Sequence, residues 1–145
     1  MQSFLSTWYW TVIAALLCIG PAFAVTLKMK SAKEQINSTI RSHEDLMLVK
    51  QIINLSMITS VAMVVEIVFC ACFLVYCWLS GRIPHSSVPG HLMVFSLVMF
   101  IATPYFKKTE GDFKKIKIES DDPEIAQTFQ RWLVQWQQAR LKLPD

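Results

Sequence analysis

Glu66 is the side chain in this sequence best placed to do chemistry. It is the single charged residue inside a long apolar run, 58–79, which reads ITSVAMVVEIVFCACFLVYCWL. An ionisable group within hydrocarbon is costly, so it normally turns toward a bundle interior and marks either an ion pathway or a packing contact. Helical spacing aligns Glu66 with Met63, Cys70, Phe73 and Cys77. In the first apolar run, Ala14, Cys18 and Ala22 recur every four residues, a small-residue pattern that lets a second helix approach closely. Counting inward from the basic ends of the runs sets Cys18, Glu66 and Ser96 at similar depth.

Pro21 removes a backbone donor from the first run and frees the carbonyl of Leu17, which neighbouring helices tend to satisfy. Glu66 is therefore expected to face the first or third run and to hydrogen-bond there. Two roles compete: a carboxylate lining a proton or cation path, and an acid that fixes helix packing. The runs hold no second acid and no Arg or Lys, so a relay has nothing to hand its proton to, and packing is favoured.

Other chemistry-bearing residues are weaker candidates. All four cysteines, Cys18, Cys70, Cys72 and Cys77, lie in apolar runs, which suits packing rather than a disulfide framework. His85 and His91 bracket a Pro- and Gly-rich loop, 80–90, but two histidines there do not make a metal site. Ser86 and Ser87 beside His85 lack an orienting acid and an oxyanion hole. With no Gly-rich phosphate loop, HExxH or nucleophile elbow, the chain is expected to be no enzyme and to need no cofactor or metal. The basic residues sit beside the apolar runs rather than in a stripe with interleaved aromatics, which excludes nucleic acid as a partner.

The elements that must position these residues follow from composition. Of 145 residues, 53% are hydrophobic and only 17% charged, and the apolar ones gather into runs 4–27, 58–79 and 88–106. Such runs match the roughly 20 helical residues that cross a bilayer core, the third being short. The expected fold is an all-α integral membrane protein: a membrane domain, 1–106, with three transmembrane helices arranged around 58–79, and a tail, 107–145. Ala22, Phe23 and Ala24 resemble a signal-peptide cleavage site. Yet no Lys or Arg precedes the first run while Lys28, Lys30 and Lys33 follow it, so this helix is expected to be retained.

The connector, 28–57, contains neither Pro nor Gly and is expected to run as one long helix straight into the second span. Its apolar face would be Ala32, Ile36, Ile40, His43 and Met47. In the tail, 113–120 alternates weakly and suggests a short strand. Asp122 and Pro123 then start an amphipathic helix to about residue 142, striped by Ile125, Phe129, Trp132, Leu133 and Trp136 against a Gln-rich face. So small a tail cannot bury enough apolar area alone. The stripe needs a cover: a partner or second copy, the connector of the same chain, or lipid. The Gln-rich face argues against lipid, where Lys and Arg would be expected, and aromatic anchors favour a protein interface.

Five basic residues (Lys28, Lys30, Lys33, Arg41, Lys50) separate the first two runs, and Lys107, Lys108, Lys114, Lys115 and Lys117 gather soon after the third, whereas Arg82 stands alone between the second and third. The positive-inside rule then sets connector and tail in the cytoplasm and the N-terminus outside, in a plasma or inner membrane. On that side the Asn37–Ser38–Thr39 sequon would not be glycosylated. Trp8, Tyr9, Trp10, Tyr76 and Trp78 would mark the outer interface and Tyr105 and Phe106 the inner one.

The expected function is that of a non-enzymatic multi-pass subunit or assembly scaffold. It would work through helix–helix and tail–helix association, in the lipid bilayer, as a homo-oligomer or within a larger membrane-protein complex. The alternatives are a small oligomeric proton or cation channel built on Glu66, and an accessory subunit of a membrane enzyme.

Overall fold

A computed structural model describes the backbone of residues 2–136, 138 and 143, together with their side chains apart from those of residues 2–7 and Trp10. Four α-helices make up the described chain: α1 (Gln2–Gln35), α2 (His43–Leu79), α3 (Val88–Lys114) and α4 (Pro123–Trp136). The first three are long and apolar enough to cross a membrane. With 37 residues, α2 extends about 55 Å, well beyond the roughly 30 Å of a hydrocarbon core. One end of the bundle therefore projects as a cap.

α1, not the run 58–79, is the organising element. It packs along both α2 and α3, whereas α2 and α3 do not pack along each other. Thr11, Ala15, Cys18, Val25, Met29 and Ala32 are buried along one stripe that Ile36, just past its end, continues; half-buried Ala22 fills the series, and Thr26 is buried beside it. The steps along the stripe alternate four and three, the period of a coiled-coil seam. Small residues in the first half of that seam bring the neighbouring helices close, and larger ones in the second half fill the cap. Pro21 is exposed and Leu17 is 66% exposed, so the proline lies off the seam.

The connector breaks, contrary to the expectation of one continuous helix. α1 ends in a Schellman motif: the amide of Ser38 donates to the carbonyl of Lys33 at 2.8 Å and that of Asn37 to Glu34 at 3.0 Å. Asn37 (φ 50°) and Ser38 (φ 58°) adopt the left-handed conformation that this ending requires, and Asn tolerates it better than most residues with a Cβ. α2 restarts with a capping box in which Ser42 Oγ accepts from the Asp45 amide at 3.2 Å, while Asp45 Oδ2 accepts from the Ser42 amide at 3.1 Å. The proposed connector face splits accordingly. Ala32, Ile36 and Ile40 are buried, but His43 and Met47 are exposed.

Between α1 and α2 lies β1 (Thr39–Ile40), which pairs in parallel with β2 (Lys117–Ile118) in the register Thr39↔Lys117 and Ile40↔Ile118. The expected strand over 113–120 is thus only two residues long, because α3 continues through Pro104 and Gly111 to Lys114. Asp122 Oδ1 caps α4 by accepting from the Glu124 amide at 2.8 Å, as the sequence suggests. The helix ends at Trp136 and Gln138 lies in a bend; the rest of the expected extension to 142 lies outside the described residues.

The aromatic stripe expected to await a partner is covered by its own chain. Ile125, Phe129, Trp132 and Trp136 are all buried, and Leu133 packs partly against them. Their cover is Val25, Met29 and Ala32 of α1, Ile36 just after it, Ile40 of β1, Leu46 to Met57 of α2, and Phe113 and Ile116 at and just past the end of α3. The connector and tail, each too small to form a core, form one together. Two lysines complete it. Lys50 Nζ lies 5.4 Å from the Trp132 ring centroid and Lys114 Nζ 4.7 Å from that of Trp136. Leu143 closes the core, its amide donating to Asn54 Oδ1 of α2 at 2.7 Å.

Two substitutions test this account. Trp132→Ala should destabilise the cap by about 3–5 kcal/mol, the usual cost of emptying a core aromatic site, read by denaturant titration in detergent; an unchanged midpoint would refute the intramolecular cover. Asn37→Val should cost about 1–2 kcal/mol whereas Asn37→Gly should not, measured the same way.

Candidate functional site

The seam brings together three of the residues that could react. Cys18 on α1 and Cys70 on α2 meet with their sulfurs 3.7 Å apart. Cys18 is 1% exposed, Cys70 is half-buried, and both are free thiols. Glu66 stands one helical turn before Cys70 on the same face. One carboxylate oxygen of Glu66, Oε2, is enclosed and has no hydrogen-bond partner among the described residues.

Glu66 thus faces α1, but the expected hydrogen bond to the freed Leu17 carbonyl is not made, because Leu17 sits off the seam. Ser96, expected at the same depth, is exposed on α3 and does not join the cluster. The seam carries a thiol pair, where the sequence pointed only to packing cysteines. The usable signal was the alternation of four and three along both helices, which places Cys18 and Cys70 on facing stripes.

A second buried polar group lies toward the opposite end from the cap. His91 is fully buried, its Nδ1 is 2.7 Å from Thr11 Oγ1, and its ring stacks on Trp8 with centroids 4.3 Å apart. Its Nε2 has no partner among the described residues. Gly90 is required beside it, since a Cβ there would come within 2.8 Å of the Trp8 ring. His85 instead bonds the Trp78 indole. Among the described residues no group of His, Cys, Asp and Glu side chains converges as a metal site would require.

Where the spans meet the cap, a crevice of about 200 Å³ opens among α1, α2 and α3, lined by Thr26, Ser56, Thr59, Ser60, Thr103, Lys107, Glu110 and apolar neighbours. Its hydroxyls are partly spent. Thr26 donates to the Ala22 carbonyl, Ser60 to Ser56 and Thr103 to Met99, each four residues earlier in its own helix. Such a lining has few free donors with which to orient a ligand.

No protein-family model, curated protein or solved structure matches the chain.

The unpaired carboxyl gives a directional test. Removing a buried polar group that lacks a partner relieves a cost of about 1–3 kcal/mol, so Glu66→Leu should raise the unfolding midpoint in detergent. A lowered midpoint would mean that Glu66 makes a stabilising hydrogen bond.

Proposed function

We propose that this chain is a non-enzymatic integral membrane subunit whose spans associate with other membrane helices, while its cap serves as a self-contained anchor. The observation that carries this reading is the exposure of α2. Its most apolar 18-residue stretch has no fully buried residue within the chain. Val61, Val64, Val65, Val68 and Phe69 stand open on it. Lipid can cover such a surface, and so can helices of a second copy or of a larger complex, since van der Waals packing and small residues drive association within a bilayer.

The aromatic tail helix is engaged in the cap, so association falls to the spans rather than to the tail. A pore ringed by carboxylates would need Glu66 on an outer surface. Its place on the α1–α2 seam speaks against a channel. An accessory role beside a membrane enzyme belongs to the same reading, with the enzyme supplied by the partner.

The basic connector and the basic segment after the third span gather at the cap end. By the positive-inside rule this end is cytoplasmic, with residues 80–87 and the start of α1 outside.

Purification in mild detergent tests the association. A stoichiometric partner or a closed homo-oligomer is expected; a monomer without partner, at native membrane density, would overturn it. For orientation, a membrane-impermeant maleimide should reach Ser38→Cys only from the cytoplasmic side and Ser86→Cys only from the other, both in a background lacking native cysteines. The opposite pattern would invert the topology.

A further inference from the structure

We propose that Cys18, Cys70 and Glu66 form an oxidisable dithiol site inside the membrane, whose oxidant is a lipid hydroperoxide. The proposal rests on the membrane-spanning reading above and needs no partner protein. Three independent features point to it. The two sulfurs face each other across the seam at 3.7 Å, so closing to a disulfide bond length of about 2.0 Å asks for a shift of less than 2 Å. The two thiols differ in access: Cys18 is sealed in the seam, whereas Cys70 is only half-buried. Beside them lies a carboxyl with one enclosed oxygen, Oε2 of Glu66, that has no partner among the described residues.

This division of access matches the two roles of a peroxide-reactive cysteine pair, in which one thiol meets the oxidant and a neighbour resolves the product. Cys70 attacks the distal oxygen of the hydroperoxide. The O–O bond breaks, Cys70 becomes a sulfenic acid, and the remainder leaves as the lipid alcohol. Cys18 then attacks the Cys70 sulfur. The S–O bond breaks, the S–S bond forms, and the hydroxyl leaves as water. Overall, two thiols and one hydroperoxide give one disulfide, one alcohol and one water, with two electrons passing from sulfur to oxygen.

Each step must move a proton from a thiol to a leaving oxygen within an apolar layer, where separated charge is costly. A carboxyl group takes a proton on one oxygen while releasing one from the other, so Glu66 can relay the proton without net charge. A buried packing acid would have no need of an unbonded oxygen. The product would bolt α1 to α2 at the middle of the seam.

The seam cysteines are distinguishable from the other two. Cys72 is exposed on α2, and Cys77 is buried further along it. The full chain, in liposomes and separately in detergent micelles, is treated with cumene hydroperoxide, denatured, labelled with a maleimide and mapped by peptide mass. Two of the four thiols should be lost, joined as Cys18–Cys70 within one chain. Cys18→Ala should halt the reaction at a sulfenic acid on Cys70, trapped by dimedone, and Cys70→Ala should abolish both products. Glu66→Gln should slow closure roughly tenfold or more, as loss of a proton-transfer group does, while leaving the fold and the thiol count of the untreated protein unchanged.

Linkage through Cys72 or Cys77, linkage between chains, or no closure in either medium would overturn the dithiol site. Closure unaffected by Glu66→Gln would remove the carboxyl from it. Closure in micelles but not in liposomes would instead overturn the bilayer placement on which the proposal rests.

Discussion

Everything in this molecule depends on one helix face serving two environments. In the membrane-spanning reading proposed above, the seam of α1 holds α2 and α3 within hydrocarbon, where burying apolar surface brings no gain over lipid. It must then continue into water, where the same burial is the main driving force. The change of side-chain size along the seam answers that change of solvent. Ala15, Cys18 and Ala22 permit close backbone approach in the first environment. Val25, Met29, Ala32 and Ile36 supply apolar volume in the second. Because the period is unbroken, one rigid element spans both, and the cap inherits its orientation from the spans.

The cap itself is held by closure. The turn after α1 would be an exposed joint were it not fastened twice. β1 pairs with β2 through the Lys117 amide to the Ser38 carbonyl at 3.3 Å and the Glu119 amide to the Ile40 carbonyl at 3.0 Å. Arg41 and Glu119 approach to 3.3 Å, as do His43 and Asp122, but these groups are exposed and contribute at most about 1 kcal/mol each. The backbone pairs set the register and the aromatic core supplies the energy. Asp122 joins the two systems, one oxygen capping α4 and the other meeting His43.

Much of this was legible in the residues. Three apolar runs announced three long helices, and Asp122–Pro123 announced the start of α4. What escaped was the break in the connector, since neither Pro nor Gly marks it. The marker is Asn37, one of the few residues with a Cβ that tolerates a left-handed helix ending, followed at Ser42 and Asp45 by a short capping box. The cover of the Trp132 stripe was open for a different reason. Periodicity reports that a face is apolar but not which surface lies against it, and the parallel pairing of Thr39–Ile40 with Lys117–Ile118 leaves no local trace. Of the candidate site, Glu66 was legible because a charge in an apolar run is conspicuous. Cys18 was legible at the same depth, but its meeting with Cys70 was not, because two thiols in separate runs are unremarkable until the helices bring them face to face.

The order in which this core is completed bears on how the chain is made. Leu46, Val49, Ile53 and Met57 leave the ribosome well before Phe113, Ile125 and Trp132, which cover them. At roughly 5–20 residues per second, the cap half of α2 stays uncovered for on the order of several seconds, while α3 has yet to be made. That interval is set by the topology and not by the strength of any contact. During it the nascent chain offers an apolar helix face to whatever accompanies the ribosome. A chain whose finished cap needs no partner therefore needs a guardian during its synthesis.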